Sequence, residues 1–303
     1  MSPEFRMLLA ATDFSEAGEA AGRFAGTLAA ALGAELRCLH VVEPLPAPPD
    51  PAGGMLTADL SLLQATLDAR TSELSAFAAR HTPPGAEPGY EVPQGPPTTV
   101  IPEYAAAAGA SAIVLGLHGH SLLNRLVFGS VADAVIRKAD RPVITVRSDG
   151  DLPPAGGPVH PLVLVATHFS PACAAAADWG VALAARLKAR LEFLHVAEIA
   201  PETFYHGETR GERNELPEPV TPEDYWQGRL EEFARARVAA DQPWRARVEP
   251  GRPEERIAAA ATADSPGILC IGTHRRGALS QLLGSTASHL IRQVRCPVLT
   301  VKA

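Results

Sequence analysis

The chain has 303 residues, of which 46% are hydrophobic and 20% are charged, and its formal net charge is -7. This composition is typical of a globular chain rather than a disordered one, and a chain of this length more often forms two domains than one. The acidic balance argues against a general nucleic-acid-binding protein, and neither residues 1–11 nor residues 20–32 have the length and composition of a secretion signal or a membrane span. We therefore expect a cytoplasmic protein with no nucleic-acid or membrane partner.

The first half of the chain alternates short apolar runs with amphipathic segments. The predicted strands span residues 6–12, 35–42, 87–92, 112–116 and 142–147. The predicted helices span residues 16–32, 56–79, 97–108 and 130–138. Ser15 is the expected N-cap of the first helix and Gly33 its expected end. Alternating strands and helices predict a parallel sheet that is covered by helices on both faces.

The second half of the chain repeats the first half after a segment rich in proline and glycine. Residues 11–15, 39–43, 129–130 and 141–146 return at 166–170, 194–198, 284–285 and 296–301, so each pair starts 155 positions apart (for example, 166 minus 11). Chance would not hold one register over four segments. We therefore predict one domain at 1–148, a linker at 149–160 and a second domain at 161–303.

A glycine-rich loop follows the apolar run 112–115 and carries the main functional signal. It has the pattern Gly-x2-Gly-x9-Gly-Ser, formed by Gly116, Gly119, Gly129 and Ser130. The pattern predicts a strand-to-helix loop in which Ser130 caps the next helix and Asp133 completes a box-like pair. Free helix amides and the positive end of the helix dipole then form an anion site, which a phosphate would fit.

The loop and the repeated segments resemble the universal stress protein family, specifically its ATP-binding branch, over nearly the whole chain. The resemblance implies two tandem doubly wound α/β domains, each with a five-stranded parallel sheet in the order 3-2-1-4-5, an adenine nucleotide alpha-hydrolase-like fold. It also implies that the short fifth strands, 143–146 and 298–301, pair between the two domains as a pseudo-two-fold dimer in one chain. In such sheets, ligands lie where the winding reverses, here between strands one and four.

The resemblance further implies ATP as the ligand of the first half, with Mg²⁺ or Mn²⁺ carried by its phosphates. Asp13 would serve the adenosine end, although it is alternatively a partner of Ser15 in capping the first helix. Val41 would contact adenine through its main chain, while its side chain is that of an ordinary core strand valine. The expected binding residues are Ala11, Thr12, Asp13, Val41, Gly116, His118, Gly119, His120, Gly129, Ser130 and Val131.

Histidines and cysteines offer other chemistry, which we weigh against simpler explanations. His118 and His120 are separated by one glycine, but the sequence places no third ligand, so phosphate contact or a solvated loop is favoured over a dedicated metal site. The four cysteines show no CxxC spacing, which predicts buried thiols in a reducing compartment. They are Cys38, Cys173, Cys270 and Cys296.

The second half departs from the nucleotide pattern in two places. His168 replaces the aspartate, and the loop from Gly272 to Gly284 is one residue shorter than its counterpart. Two arginines in that loop keep anion binding open, whereas the lost carboxylate argues against adenosine recognition. A weaker second site would comprise Gly272, Arg275, Arg276, Gly284, Ser285 and Thr286.

The function expected from the resemblance is that of a stress-response regulator that binds ATP, chiefly in the first domain. The sequence shows no general base, activated nucleophile or dedicated metal cluster, so efficient turnover is not expected. Two alternatives stay open. One is a slow ATPase, and the other is a scaffold that binds a ligand other than ATP or an unknown protein partner, with a homodimer of the chain also possible.

Overall fold

A computed structural model describes residues 3–43, 60–117, 129–152, 162–198, 222–264, 267–273 and 284–302. The strands of the first half are β1 (Met7–Ala11), β2 (Glu35–Leu39), β3 (Gly89–Glu91), β4 (Ala112–Gly116) and β5 (Val143–Val146). Its helices are α1 (Glu16–Leu32), α2 (Leu60–His81), α3 (Pro97–Ala107) and α4 (Ser130–Lys138). The predicted elements of this half are therefore present; β4 has its predicted bounds, and the other four strands are shorter than predicted.

The second half has the same order of elements. Its strands are β6 (Leu162–Ala166), β7 (Arg190–Ala197), β8 (Trp244–Pro250), β9 (Ile268–Thr273) and β10 (Val298–Lys302). Its helices are α5 (Pro171–Leu187), α6 (Pro222–Arg235), α7 (Pro253–Ala263) and α8 (Ser285–Gln293). The repeat in the sequence is thus a repeat of one structural unit.

The first helix shows how local sequence sets the ends of an element. Ser15 has an extended backbone, and its hydroxyl accepts a hydrogen bond from the Gly18 amide at 3.2 Å. At the other end, Gly33 adopts a left-handed conformation with φ 65°. A hydroxyl cap and a left-handed glycine are the expected start and stop of a helix, and both were predicted.

The two halves form one sheet of ten strands with the order β3-β2-β1-β4-β5-β10-β9-β6-β7-β8. Within each half all pairings are parallel, and each half has the expected internal order 3-2-1-4-5. Successive residues of β1 pack into different cores: Leu8 lies in one apolar cluster with Phe24 of α1, and Leu9 lies in the other with Val135 of α4. Helices therefore cover both faces of the sheet, as the alternating pattern predicts.

The seam between the halves is the antiparallel pair β5 and β10, in which Val143, Ile144 and Thr145 lie opposite Thr300, Leu299 and Val298. The Thr300 hydroxyl donates to the Val143 carbonyl at 3.0 Å. Beside the seam, the ring of Phe5 meets that of Trp179 edge-on at 5.2 Å. The expected pairing of the fifth strands is confirmed, and it removes two strand edges from solvent.

The second strand ends earlier than hydrophobicity suggested. Residues 35–42 form a strand only as far as Leu39, after which Val42 makes a single bridge to Gln94. β1 has already ended at this level, so the residues that follow Leu39 have a neighbouring strand on the β3 side only. No helix in the described ranges is long and apolar enough to cross a membrane.

Candidate functional site

The candidate site of the first half lies at the carboxyl ends of β1 and β4, which are neighbours with Ala11 opposite Leu115. The chain leaves β1 through Thr12, whose amide donates to the Leu39 carbonyl at 2.9 Å. The Thr12 hydroxyl accepts a hydrogen bond from the Phe14 amide at 3.0 Å. These bonds fix the first loop beside the point where the winding of the sheet reverses.

Phe14 holds the first loop in an unusual conformation. Its φ is 62°, a left-handed value that aromatic residues rarely adopt. Its ring packs on that of His40, with the ring centres 4.5 Å apart. His40 Nδ1 lies 2.9 Å from the Thr12 carbonyl, so that ring nitrogen donates and Nε2 carries the lone pair. Burial lowers the pKa of His40 and this bond only partly offsets it, which favours the neutral ring.

Asp13 is exposed on this loop and interacts with the helix cap. Its Oδ1 accepts hydrogen bonds from the Ser15 amide at 3.1 Å and from the Ser15 hydroxyl at 2.5 Å. Ser15 is itself the N-cap, so Asp13 orients the cap rather than replacing it. The alternative of a capping role is therefore present in this indirect form, and Asp13 stays exposed just beyond the carboxyl end of β1.

The main chain of Val41 has no hydrogen-bond partner among the described residues. On either side of it, the His40 amide donates to Glu91 and the Val42 amide donates to Pro93, both toward β3. Peptide groups alternate in direction along a strand, so the Val41 amide and carbonyl point the other way, past the end of β1. They are a donor and an acceptor directed to the side where β1 ends.

Two glycines, Gly116 at the end of β4 and Gly129 before α4, make close contacts within the chain. A Cβ at Gly116 would lie 2.5 Å from the Ala17 carbonyl carbon, so glycine lets α1 pack directly on β4. A Cβ at Gly129 would lie 2.8 Å from the Leu117 carbonyl oxygen, to which the Gly129 amide donates at 3.1 Å. A tight exit from the strand beside a ligand is the reason expected for Gly116, and unshielded helix amides are the reason expected for Gly129; the structure adds contact within the chain as a reason for both.

The prediction that Ser130 caps the fourth helix was wrong. Gly129 is the N-cap and Ser130 is the first helical residue, exposed and with a side chain that makes no cap bond. Asp133 forms an ion pair with Arg137 instead of completing a box. Because Gly129 has no side chain, the cap residue offers the first amides of α4 no side-chain acceptor. Among the described residues, the helix N-terminus is therefore open beside β4.

The remaining predicted residues of the first site fall into two groups. Val131 is half-buried in the first turn of α4, and Ala11 is buried at the end of β1. His118, Gly119 and His120 lie outside the described residues, as do Arg275 and Arg276 of the second half.

The second half has a cavity of about 950 Å³ at the equivalent place, the carboxyl ends of β6 and β9. Four of the weaker-site residues line it, namely Gly272, Gly284, Ser285 and Thr286. Like Gly129, Gly284 is an N-cap without a side-chain bond, so α8 also begins with an open N-terminus. The four described positions of this half therefore surround one space.

Aromatic rings form another wall of this cavity. His195 packs on Phe169 with the ring centres 4.6 Å apart and on Trp226 at 4.8 Å. The Arg229 guanidinium lies over the Phe169 ring at 5.1 Å. His195 Nδ1 lies 2.9 Å from the Thr167 carbonyl, which leaves Nε2 as the acceptor. This Nε2 is buried and has no hydrogen-bond partner among the described residues.

A contact that sequence reasoning missed joins His168 to Cys173. His168 Nδ1 lies 3.1 Å from Cys173 Sγ. Burial raises the pKa of the Cys173 thiol, but hydrogen bonds from His168 and Ser170 outweigh it and lower the pKa to about 7. The same bond raises the pKa of His168. A signal was available, because the repeat offset aligns these residues with Asp13 and Gly18, and both positions differ between the halves.

The other three cysteines behave as the sequence predicts, as buried thiols. Burial alone raises the pKa of Cys38 to about 12, and burial is also the main cause that raises the pKa of Cys270 and of Cys296. Within the described ranges, no group of three or more His, Cys, Asp and Glu side chains is placed to hold a metal ion.

Comparison with known proteins shows the family. The model of the universal stress protein family matches residues 4–147 and 162–302. A universal stress protein of Mycobacterium tuberculosis is 28% identical over 201 residues, which are 64% of this chain and 62% of that protein. The chain thus spans less than two thirds of that relative's length.

A second relative and a solved structure agree with this. A universal stress protein of Methanocaldococcus jannaschii is 29% identical over 143 residues, which are 47% of this chain and 82% of that protein. The crystal structure of a universal stress protein from Archaeoglobus fulgidus shares the fold, with a TM-score of 0.68 at 19% identity over 99% of this chain and 97% of that one. The chain, matched by the family model along both of its halves, belongs to the universal stress protein family.

Proposed function

We propose that the chain binds ATP, chiefly in its first half, and acts as a nucleotide-dependent regulator of a stress response. The observation that carries the proposal is the open N-terminus of α4 beside the end of β4. The Gly129 amide is bonded to Leu117, which fixes the start of the helix at the place where β1 and β4 meet. Open amides and the helix dipole favour a phosphate there.

The other wall of the cleft supports an adenosine end. The Val41 amide and carbonyl are directed past the end of β1, and a donor and an acceptor side by side suit the edge of an adenine ring. The Asp13 carboxylate can accept hydrogen bonds from ribose hydroxyls at the mouth of the cleft. A carboxylate would repel phosphates, so its position orients the nucleotide with the phosphates toward α4.

The test is calorimetric titration of the intact chain with ATP and Mg²⁺, with one variant in each half. Ser130 and Ser285 are both exposed first residues of their helices, α4 and α8. Glutamate at either position suits the helix dipole, so both variants should fold. Ser130→Glu places a negative charge where the first-half phosphate would lie, and Ser285→Glu does the same in the second half.

We expect a stoichiometry close to one for the wild type, with binding lost in Ser130→Glu and kept in Ser285→Glu. Loss in Ser285→Glu alone would assign the nucleotide to the second half. Absence of binding to the wild type would refute the ATP proposal and leave the family assignment unchanged.

A second candidate function is binding of a ligand other than ATP in the second half. The cavity of about 950 Å³, with Phe169, Trp226 and His195 in its wall, favours it. His168 replaces the carboxylate that would serve adenosine in the first half. Quenching of Trp226 fluorescence by a ligand, retained in Ser130→Glu, would support this candidate, and Trp226→Phe identifies the signal. If the fluorescence change followed first-half ATP binding instead, the candidate would fail.

A further inference from the structure

We propose that Cys173 is a peroxide-reactive thiol, activated by His168 and reached through the cavity of the second half. This is a modification site, and it does not depend on nucleotide binding by either half. Peroxides are the reactant class because they are small, uncharged soft electrophiles that a buried thiolate can attack.

The contacts of the thiol favour its ionised form. His168 Nδ1 lies 3.1 Å from the sulfur, and an imidazolium there would donate to a thiolate. Cys173 is also the third residue of α5, and its amide donates to the Ser170 cap at 3.3 Å. A helix N-terminus and a neighbouring histidine are two features that lower thiol pKa values. The shifts of the two partners agree in direction, since the thiol becomes more acidic and the imidazole more basic.

The first half shows that this pair is not a requirement of the fold. The positions equivalent to His168 and Cys173 are Asp13 and Gly18. A Cβ at Gly18 would lie 2.6 Å from the Thr12 hydroxyl and 3.0 Å from the Asp13 carboxylate, so that half leaves no room for a side chain. His168 and Cys173, which contact each other, both differ from their counterparts in the first half. The second half thus has a basic side chain beside a thiol.

The cavity supplies access and a second polar group. Cys173 is only 2% exposed, yet it lines the cavity of about 950 Å³ together with His168 and His195. His195 is 6% exposed, and its Nε2 acceptor has no partner among the described residues. That nitrogen is available to a hydroxyl hydrogen of a small reactant. Among the described residues, the other ionisable groups beside His168 and Cys173 are Glu198, which lines the cavity, and Arg229, over the Phe169 ring.

The reaction balances with these groups alone. The thiol proton moves to His168, and the thiolate sulfur attacks one oxygen of hydrogen peroxide. The S–O bond forms as the O–O bond breaks, so sulfur is oxidised by two electrons and peroxide is reduced. The leaving hydroxide takes the proton from the His168 imidazolium and departs as water. The products are a sulfenic acid at Cys173 and one water molecule.

The experiment measures the modification of each cysteine in the full chain by peptide mass spectrometry. Iodoacetamide gives the rate as a function of pH, and hydrogen peroxide followed by a sulfenic-acid trap gives the oxidation. The variants are His168→Asn, which keeps a polar side chain without its charge, and Cys173→Ala. Cys38 is the control within the molecule, because it is buried and burial raises its pKa.

We expect Cys173 to be alkylated with a rate midpoint near pH 7 and to be the thiol that peroxide oxidises. In His168→Asn, the midpoint should move above about 8.5, the value of an ordinary thiol, with a loss of roughly tenfold or more in rate at pH 7. Cys173→Ala should remove the trapped adduct. Modification of Cys173 no faster than that of Cys38, or an unchanged pH profile in a folded His168→Asn chain, would overturn the proposal.

Discussion

Gly129 and Gly284 occupy equivalent N-cap positions, and the structure predicts opposite tolerance to alanine. A Cβ at Gly129 would lie 2.8 Å from the Leu117 carbonyl oxygen, a backbone atom that cannot swing aside. A Cβ at Gly284 meets no described atom within 4 Å. Both glycines have a negative φ, -59° and -54°, so alanine suits either backbone conformation. The difference between the variants is therefore steric.

The size of the effect follows from overpacking. Forcing an added methyl group into a closed contact costs about 1–3 kcal/mol, whereas a surface change without such a contact stays within about 0.5 kcal/mol. Alanine is also a less favourable N-cap residue than glycine, but this cost applies to both variants and cancels in the comparison. Gly129→Ala should therefore lower the free energy of unfolding by about 1–3 kcal/mol more than Gly284→Ala does.

Urea unfolding followed by circular dichroism measures this difference. The two variants and the wild type should share one m-value, so that the shift in midpoint reports stability. Equal losses in both variants would refute the steric argument, and a larger loss in Gly284→Ala would reverse it.

Two further predictions concern the seam and the buried histidines. Leu299→Ala, at the buried centre of the β5 and β10 pair, should cost about 2–5 kcal/mol in urea unfolding; a cost below 1 kcal/mol would mean that the seam contributes little to stability. Burial lowers the folded pKa of His195 below its ordinary value of about 6.5, so its contribution to stability is complete above that pH and is lost as pH falls through the lowered value. Between pH 7 and pH 5.5 the wild type should thus lose more unfolding free energy than His195→Asn, and equal losses would contradict this sign.

The sequence predicted the features that depend on local chemistry and on the repeat. Ser15 and Gly33 end the first helix because a hydroxyl cap and a left-handed glycine act through nearby atoms. The strand order and the pairing of β5 with β10 followed from the family resemblance. The cap of α4 was misplaced by one residue. Gly129 itself adopts the non-helical conformation of an N-cap, and a serine in the next position does not show which of the two residues caps the helix.

Contacts between distant elements could not be predicted in the same way. The amide and carbonyl of Val41 face the side on which β1 has already ended. Where β1 ends relative to β2 is not specified by hydrophobicity. The contact between His168 and Cys173 needs the loop conformation at Phe169, which has φ 65°. The assignment of binding residues, including those at 118–120, stays a prediction.

The antiparallel seam also decides how the two clefts are placed. Since β10 runs opposite to β5, all strands of one half run opposite to those of the other, and their carboxyl ends emerge at opposite edges of the sheet. Five strand spacings separate β1 from β6, about 24 Å at roughly 4.8 Å each. Ligands bound at the carboxyl ends of the two sets of strands would therefore lie at opposite edges of the sheet and not side by side.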